Sequence, residues 1–467
     1  MSKNTVNKLM EDHALEAVPL SERKGWLKLT WNTAGIVTTL IQIFFGALAT
    51  FVAGFKIAII AGITVTFFGG LLGWACGHIA FKSGLSSTVM ARQFGFGKQG
   101  SIVASLIFGF MIIGFLALEN ALLYKGILFY FGYEDILTNQ IIVYSILTIS
   151  WTLLTLFGFE FVSKISSITL ILFLILLAYM TWFVLNQSGV SMSNATTFSS
   201  LLPENALKGM NATDTKGKFI FCVNLLIGSA GALALVDADL GRYAKSSKDI
   251  GIAAFLGNAA MDILMVAFGG IVMFAASKGL VAHYITSGID EVTANQKALS
   301  PDGVTASFIL FGGVLGAILM ILAQAKAQVL NTYSGSLSLS NLFDVLHLRL
   351  PRYLLVILAN VLALIMIGAN ILGLVNSWIT LLGVLTTSFA GIMIADYFII
   401  RKNGKLDYKT EAFNISGILT SIIATLMAHI VLDKIITIEF ITSISVSILL
   451  YTLLRNFIFK PKLIPSN

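Results

Sequence analysis

The sequence predicts an all-α integral membrane protein with about twelve transmembrane helices, and three observations carry that prediction. Charged residues make up 11% of the 467 and hydrophobic residues 57%, whereas an ordinary soluble domain carries about 25% charged residues. Twelve apolar runs are long enough to cross a bilayer at about 20 residues each. They cover approximately 28 to 54, 57 to 81, 101 to 131, 138 to 158, 162 to 186, 219 to 243, 250 to 277, 304 to 331, 353 to 374, 375 to 400, 413 to 432 and 435 to 458. With the amino terminus on the cytoplasmic side, 21 of the 30 basic residues fall on that side and 8 on the other, with Lys326 inside a span. Such an asymmetry fits the helix count and sets the orientation, with both termini cytoplasmic.

Taken in order, residues 1–27 are polar, lack the apolar core of a secretory signal and read as a cytoplasmic tail. The spans fill residues 28–400 and 401–458, and 459–467 form a second cytoplasmic tail. The least marked cut is the one near Leu374, where no charge separates the ninth and tenth runs. The six prolines stand at 19, 203, 301, 351, 461 and 465, between runs or in the tails, so any break within a helix must come from glycine and polar residues. Cys76 and Cys222 lie in apolar runs and read as packed thiols. The loops near 187 to 218 and 278 to 303 are rich in Ser, Thr, Asn and Lys and look like solvated connections.

The signals of soluble function fail in turn. Gly95, Gly97 and Gly100 spell G-x-G-x-x-G but sit between two membrane runs and follow no strand, which removes the dinucleotide reading. The five histidines are scattered, so neither a metal site nor a cofactor is expected, and no catalytic pair stands in a polar loop. The net charge of +7 is distributed as membrane topology requires, so no nucleic-acid partner is expected. Asn194-Ala-Thr196 and Asn211-Ala-Thr213 are formal glycosylation sequons, which matter only in a host that glycosylates.

What remains is a set of interruptions inside spans. In the sixth run Gly228, Ser229, Ala230 and Gly231 stand in succession. Such a row either frees backbone groups beside a polar cavity or forms a close helix-packing face. In the first run Gly35 and Gly46 flank Thr38, Thr39 and Gln42. Paired interruptions in two halves of a membrane chain point to a transporter site. They predict that the sixth helix is discontinuous through Gly228 to Gly231 and that the first loses regular hydrogen bonding between about Thr38 and Gln42. Gln42 serves either that site or an interhelical hydrogen bond.

Four separated stretches, ALEAVPLSERKGWLKLTW, SGLSSTVMARQFGFGKQGS, DLGRYAKS and IADYFIIRKNGKLDY, resemble the nucleobase:cation symporter family of cytosine, uracil, allantoin and hydantoin permeases. The likeness runs in order from about Ala14 to Asp407. It implies a five-plus-five inverted repeat, helices one to five and six to ten, with two additional C-terminal helices. It also implies a central small-molecule site facing breaks in helices one and six, with Gly228 and Ser229 at the second break. Cytosine-like members place a tryptophan on helix three, an aromatic residue on helix six and a glutamine nearby. The approximate register puts Phe115, Leu226 and Ile112 there, so one aromatic platform survives.

Two ionisable residues depart from that pattern. Glu119 lies one turn beyond Phe115 and should not face lipid; it reads as a structural bond or as a substrate contact. Helix eight places Gln324, Lys326, Gln328, Asn331 and Tyr333 where the family supplies substrate and, in sodium-coupled members, ion ligands. An ammonium offers no acceptor to a sodium ion. Pointing inward, Lys326 takes the ion's place beside Thr38 and Thr39; pointing to the cytoplasm, it snorkels. Asp237, Asp239 and Asp262 fall near cytoplasmic ends by count, where gate pairing, as of Asp239 with Arg242, is expected. The reading is a secondary transporter of the inner membrane and not an enzyme. It imports a small nucleobase-like heterocycle by alternating access, proton-coupled or uncoupled, with a proton favoured over sodium if an ion is coupled. An amine or amino-acid carrier on the same scaffold is the alternative, and a channel or membrane enzyme is disfavoured.

Overall fold

The computed structural model describes residues 13, 15–156, 159–433 and 435–463; Lys3, Lys8, Lys434 and the outer parts of both expected tails lie outside them. The first apolar run becomes two helices, Trp26–Val37 and Leu40–Ala53, bent by 69°. No proline or glycine stands at the joint. Thr38 (φ −92°, ψ 70°) and Thr39 (φ −122°, ψ 172°) leave helical geometry, where β-branched residues are more at ease. The Thr38 hydroxyl donates to Ala34 O at 2.7 Å, closing the first half on itself.

Gly54 (φ 82°) turns the chain into the second span, Phe55–Ser83. The third, Ser101–Phe131, the fourth, Leu137–Thr155, and the fifth, Phe159–Ser188, follow. The sixth is Thr215–Gly241, started by Asp214, whose side chain accepts the Gly217 N–H. The seventh joins Ser247–Ala259 to Val266–Thr286 through a π-helical turn, Ala260–Met265. The eighth is Val314–Val345 and the ninth Arg352–Gly368. The tenth, Val375–Ile394, the eleventh, Ile415–Leu426, and the twelfth, Glu439–Leu453, each end in a π turn. Among the described residues, nine helices are long and apolar enough to cross a membrane. The bent pair makes a tenth, and two shorter apolar helices, Arg352–Gly368 and Ile415–Val431, bring the segments to twelve.

Two expectations need correction. The sixth span is a continuous α-helix through Gly228 to Gly231. Its glycines serve packing: methyl groups there would overlap Ile379 O and the Thr386 hydroxyl of the tenth span. Close approach of two backbones needs an intact helix on both sides, so the small residues form an interface. The eighth span begins ten residues later than its apolar run, because Pro301–Gly312 is a separate helix ended by Gly313 (φ 51°, ψ −121°). The span therefore reaches Val345, and Lys326 lies well inside it. The cut between the ninth and tenth spans falls at Leu374, which caps the tenth.

Two of the resembling stretches meet in a buried knot. Gly95 (φ 84°) and Gly97 (φ 85°) adopt backbone that L-residues rarely take. The Gly95 N–H donates to the Asp396 carboxylate, which also pairs with Arg401 at 3.0 Å and accepts the Tyr451 hydroxyl at 2.8 Å. Arg401 donates to Gln93 O at 2.8 Å. The loop after the second span is thereby fastened to spans ten and twelve. The other two stretches also meet: Lys24 N–H donates to Tyr243 O, and Lys245 N–H to Lys24 O.

Candidate functional site

A narrow cavity of about 30 Å³ lies against the break in the first span. Its polar wall is Thr39 and Gln42 from span one, Glu119 from span three, Ser229 from span six and Asn331 from span eight. Gln42 Nε2 donates to Ser229 Oγ at 3.1 Å, so one hydrogen bond joins spans one and six across the site. Phe115 supplies the aromatic wall and meets Trp378 of span ten edge-on, with ring centroids 4.9 Å apart at 85°. Gly114 leaves the room that the Trp378 ring occupies. Ile112 also lines the cavity, whereas Leu226 is buried outside it.

The break exposes two helix ends of opposite polarity, carbonyls closing the first half and N–H groups opening the second. A charged side chain answers each. Lys326 is fully buried, and its Nζ donates to Thr38 O, to Ala323 O at 3.2 Å and to Gly35 O at 3.4 Å, over the Phe173 ring at 4.3 Å. It points inward, and the snorkelling alternative falls. The Glu119 carboxyl faces the Thr39 hydroxyl, the Gln324 amide and the Ile41 N–H. The fit is loose: Glu119 Oε2 and Thr39 Oγ1 complete no hydrogen bond. Gln324 Nε2 donates to Glu119 O at 3.1 Å, tying spans three and eight.

Other residues take different places. Gln328 is spent outside the cavity, donating to Leu116 O at 3.0 Å and Asn120 Oδ1 at 2.8 Å, while its own Oε1 accepts from Asn331 at 3.3 Å. Gly228 faces Ile379 and not the cavity. Thr38 offers its carbonyl, its hydroxyl being turned back on Ala34. Asp239 and Arg242 interact electrostatically but share no direct ion pair or hydrogen bond. Asp239 accepts the Ser87 N–H at 2.7 Å, at the start of the short helix Ser87–Gln93, where the helix dipole draws a carboxylate. Arg242 donates to His13 O at 2.8 Å and to the Tyr333 hydroxyl at 3.0 Å, and stacks on Tyr243. These contacts close the end of the site nearer the N-terminal segment. Among the described residues no three His, Cys, Asp or Glu gather as metal ligands. The sequence reading missed Trp378, because the start of the tenth span carries no signal that sets its register.

The sequence profile of permeases for cytosine/purines, uracil, thiamine and allantoin matches residues 18–413. The chain belongs to this permease family. It is therefore a multi-pass secondary transporter. No curated protein sequence matches the chain. Among solved structures, the permease is similar to the inward-facing conformation of Mhp1, with 18% identity and a TM-score of 0.66, covering 95% of this chain and 93% of the other. It is also similar to Mhp1, a nucleobase-cation-symport-1 family transporter, closed around bromovinylhydantoin, with 17% identity and a TM-score of 0.67 over 95% and 94%. A Na⁺-coupled sialic acid symporter matches with 15% identity and a TM-score of 0.63 over 96% and 92%. These likenesses establish the fold, an inverted-repeat transporter with a broken first helix and two additional helices after the tenth.

Proposed function

We propose that this permease imports a small, uncharged, planar heterocycle and does so without sodium. The observation that supports the substrate class is the cavity at the helix break. There Phe115, backed by Trp378, offers a stacking face, and Gln42, Ser229, Asn331 and Thr39 offer amide and hydroxyl partners for a ring with amide edges. Cytosine, uracil and hydroxymethylpyrimidine have that shape. Residues 28–400 form the transport core and 401–458 accessory spans in an inner membrane, with both termini cytoplasmic.

The observation that supports sodium independence is Lys326. Carbonyls from Gly35, Thr38 and Ala323 converge on one point, an arrangement that suits a monovalent cation, and the tethered ammonium fills it. A sodium ion about 4 Å from that charge would be repelled by roughly 4 kcal/mol at an effective dielectric near 20. That is close to a thousandfold in binding, which makes transport proton-coupled or uncoupled. A second reading is favoured by Glu119, whose unpartnered Oε2 offers a counter-charge to an amine-bearing substrate.

Uptake of labelled cytosine, uracil, hydroxymethylpyrimidine and allantoin by a transport-null cell expressing the permease separates the readings. Saturable uptake of at least one neutral ring supports the first. Uptake confined to amines would replace it with the second.

A further inference from the structure

Away from the cavity, the second, sixth and seventh spans meet along a seam whose second-span side is bare. Gly62, Gly69 and Gly73 follow one another along that helix, and at each an added methyl would overlap a group across the seam. The groups are the Asp262 backbone carbonyl at Gly62, Asn258 Oδ1 at Gly69 and Asp237 Oδ2 at Gly73. At 1.5 Å per residue the three stations lie roughly 6 and 10 Å apart along the helix axis. Asp237, Asn258 and Asp262 are all fully buried.

They are also short of donors. Asp237 Oδ2, Asn258 Oδ1 and both oxygens of Asp262 have no hydrogen-bond partner. Asp237 Oδ1 meets only the Thr33 hydroxyl at 3.5 Å, and the Asn258 amide donates back to Ala254 O at 2.9 Å. Asp237 Oδ2 and Asn258 Oδ1 thus face the bare side of span two with nothing to satisfy them, and the Asp262 carboxyl is buried without a partner one turn beyond Asn258 on span seven, in a setting where intramembrane carboxyls are tolerated chiefly for function. The seventh span is opened at this point: Asp262 rides on the π turn Ala260–Met265, a feature that concentrates at functional sites.

No cation answers the two acids. Neither forms an ion pair with Lys, Arg or His among the described residues. Of the titratable groups on the packed elements, the Cys76 thiol interacts with Asp237. His78 is bonded to Ser247 Oγ at 2.7 Å, and Asp239 is held by Ser87. Lys56, Lys82, Lys248 and Lys278 are exposed near the ends of their segments, and Lys28 is half-exposed at the start of the first span.

We propose that the packing of spans two, six and seven holds two proton-binding carboxyls, Asp237 beside the Asn258 amide and Asp262 one turn further along span seven. A proton on either acid supplies the missing O–H donor. Its release to water leaves a carboxylate that the closed seam cannot hold, so spans six and seven must move off the glycine face of span two for the proton to leave. Proton exchange is thereby tied to the rearrangement that moves substrate. The inference goes beyond the substrate reading and rests on it only in taking sodium not to be the driving ion.

The direct test is infrared difference spectroscopy on the purified full-length protein in lipid, reading the C=O stretch of protonated carboxyls. The expected result is a band that shifts in D₂O, bleaches on raising the pH, and loses amplitude in both Asp262→Asn and Asp237→Asn. A band insensitive to D₂O and pH, one unchanged in both variants, or one bleached by sodium at constant pH would overturn the proposal. In cells, labelled cytosine uptake by Asp262→Asn should retain counterflow but lose its stimulation by external acid, the ratio falling to about one. Asp262→Glu, which keeps the carboxyl, should restore at least half of that stimulation; restoration by neither acid nor amide, with normal expression, counts against the site. Absence of cytosine uptake in the unmodified permease would fault the substrate reading and leave the infrared result to decide this one.

Discussion

The first and sixth spans open the two halves of the repeat, and both carry small or polar residues in mid-membrane, yet only the first is broken. The difference lies in what stands opposite. At Thr38 and Thr39 the exposed helix ends are met by the Lys326 ammonium on the carbonyl side and the Glu119 carboxyl on the N–H side. At Gly228 to Gly231 no charge is offered, and the tenth span presses close enough to need every backbone bond in place. Small residues permit a break, but charges complementary to the opened ends are what sustain one.

The largest effect expected from perturbing this contrast is at Lys326. Lys326→Ala leaves three carbonyls converging on a void and Glu119 without its counter-charge, which should cost about 3–5 kcal/mol. Uptake should fall to background and the detergent melting temperature should drop. Sodium should recover part of that drop by entering the vacated cage. An unchanged melting temperature would contradict the clamp at the first-span break.

Gly228→Ala comes next, and its sign discriminates. If the sixth span works as an intact packing helix, the methyl strikes Ile379 O and destabilises by about 1–3 kcal/mol. If that span has to unwind there, alanine would strengthen the folded helix by up to about 1 kcal/mol. Thermal unfolding of the two proteins side by side separates these outcomes.

Smaller effects belong to the cavity that the break creates. Phe115→Ala should remove a stacking contribution of about 0.5–1.5 kcal/mol beyond lost area and raise the half-saturating substrate concentration roughly two- to tenfold. Phe115→Leu should recover little of this. Unchanged uptake kinetics in either variant would remove Phe115 from the site. Gln42→Ala breaks the link to Ser229 and should weaken apparent affinity by about 1 kcal/mol, near fivefold, with expression unaffected.

Most of the fold was legible because hydropathy counts spans directly, and the break at Thr38 and Thr39 was legible because two threonines and a glutamine have no use facing lipid. Where the reading failed, one signal stood for two physical situations. A Gly-Ser-Ala-Gly row opens a helix or packs it, and only Ile379 and Thr386, some 150 residues away, decide which. The eighth span was misplaced because Gly312 and Gly313 end a helix inside an unbroken apolar run. With that register corrected, Lys326 moves from the edge of a span to its interior. Gln328 looked like a ligand until its partners Leu116 and Asn120 were in place, and the expected Asp239–Arg242 pair gave way to bonds with Ser87, His13 and Tyr333.

Lys326 occupies the carbonyl cluster at the broken helix, and substrate uptake in sodium-free choline buffer tests most directly whether it stands in for a coupling cation there. The expected result is full activity in choline, responsive to an imposed proton gradient and abolished in Lys326→Ala. Loss of uptake in choline, restored by sodium in a saturable way, would contradict it.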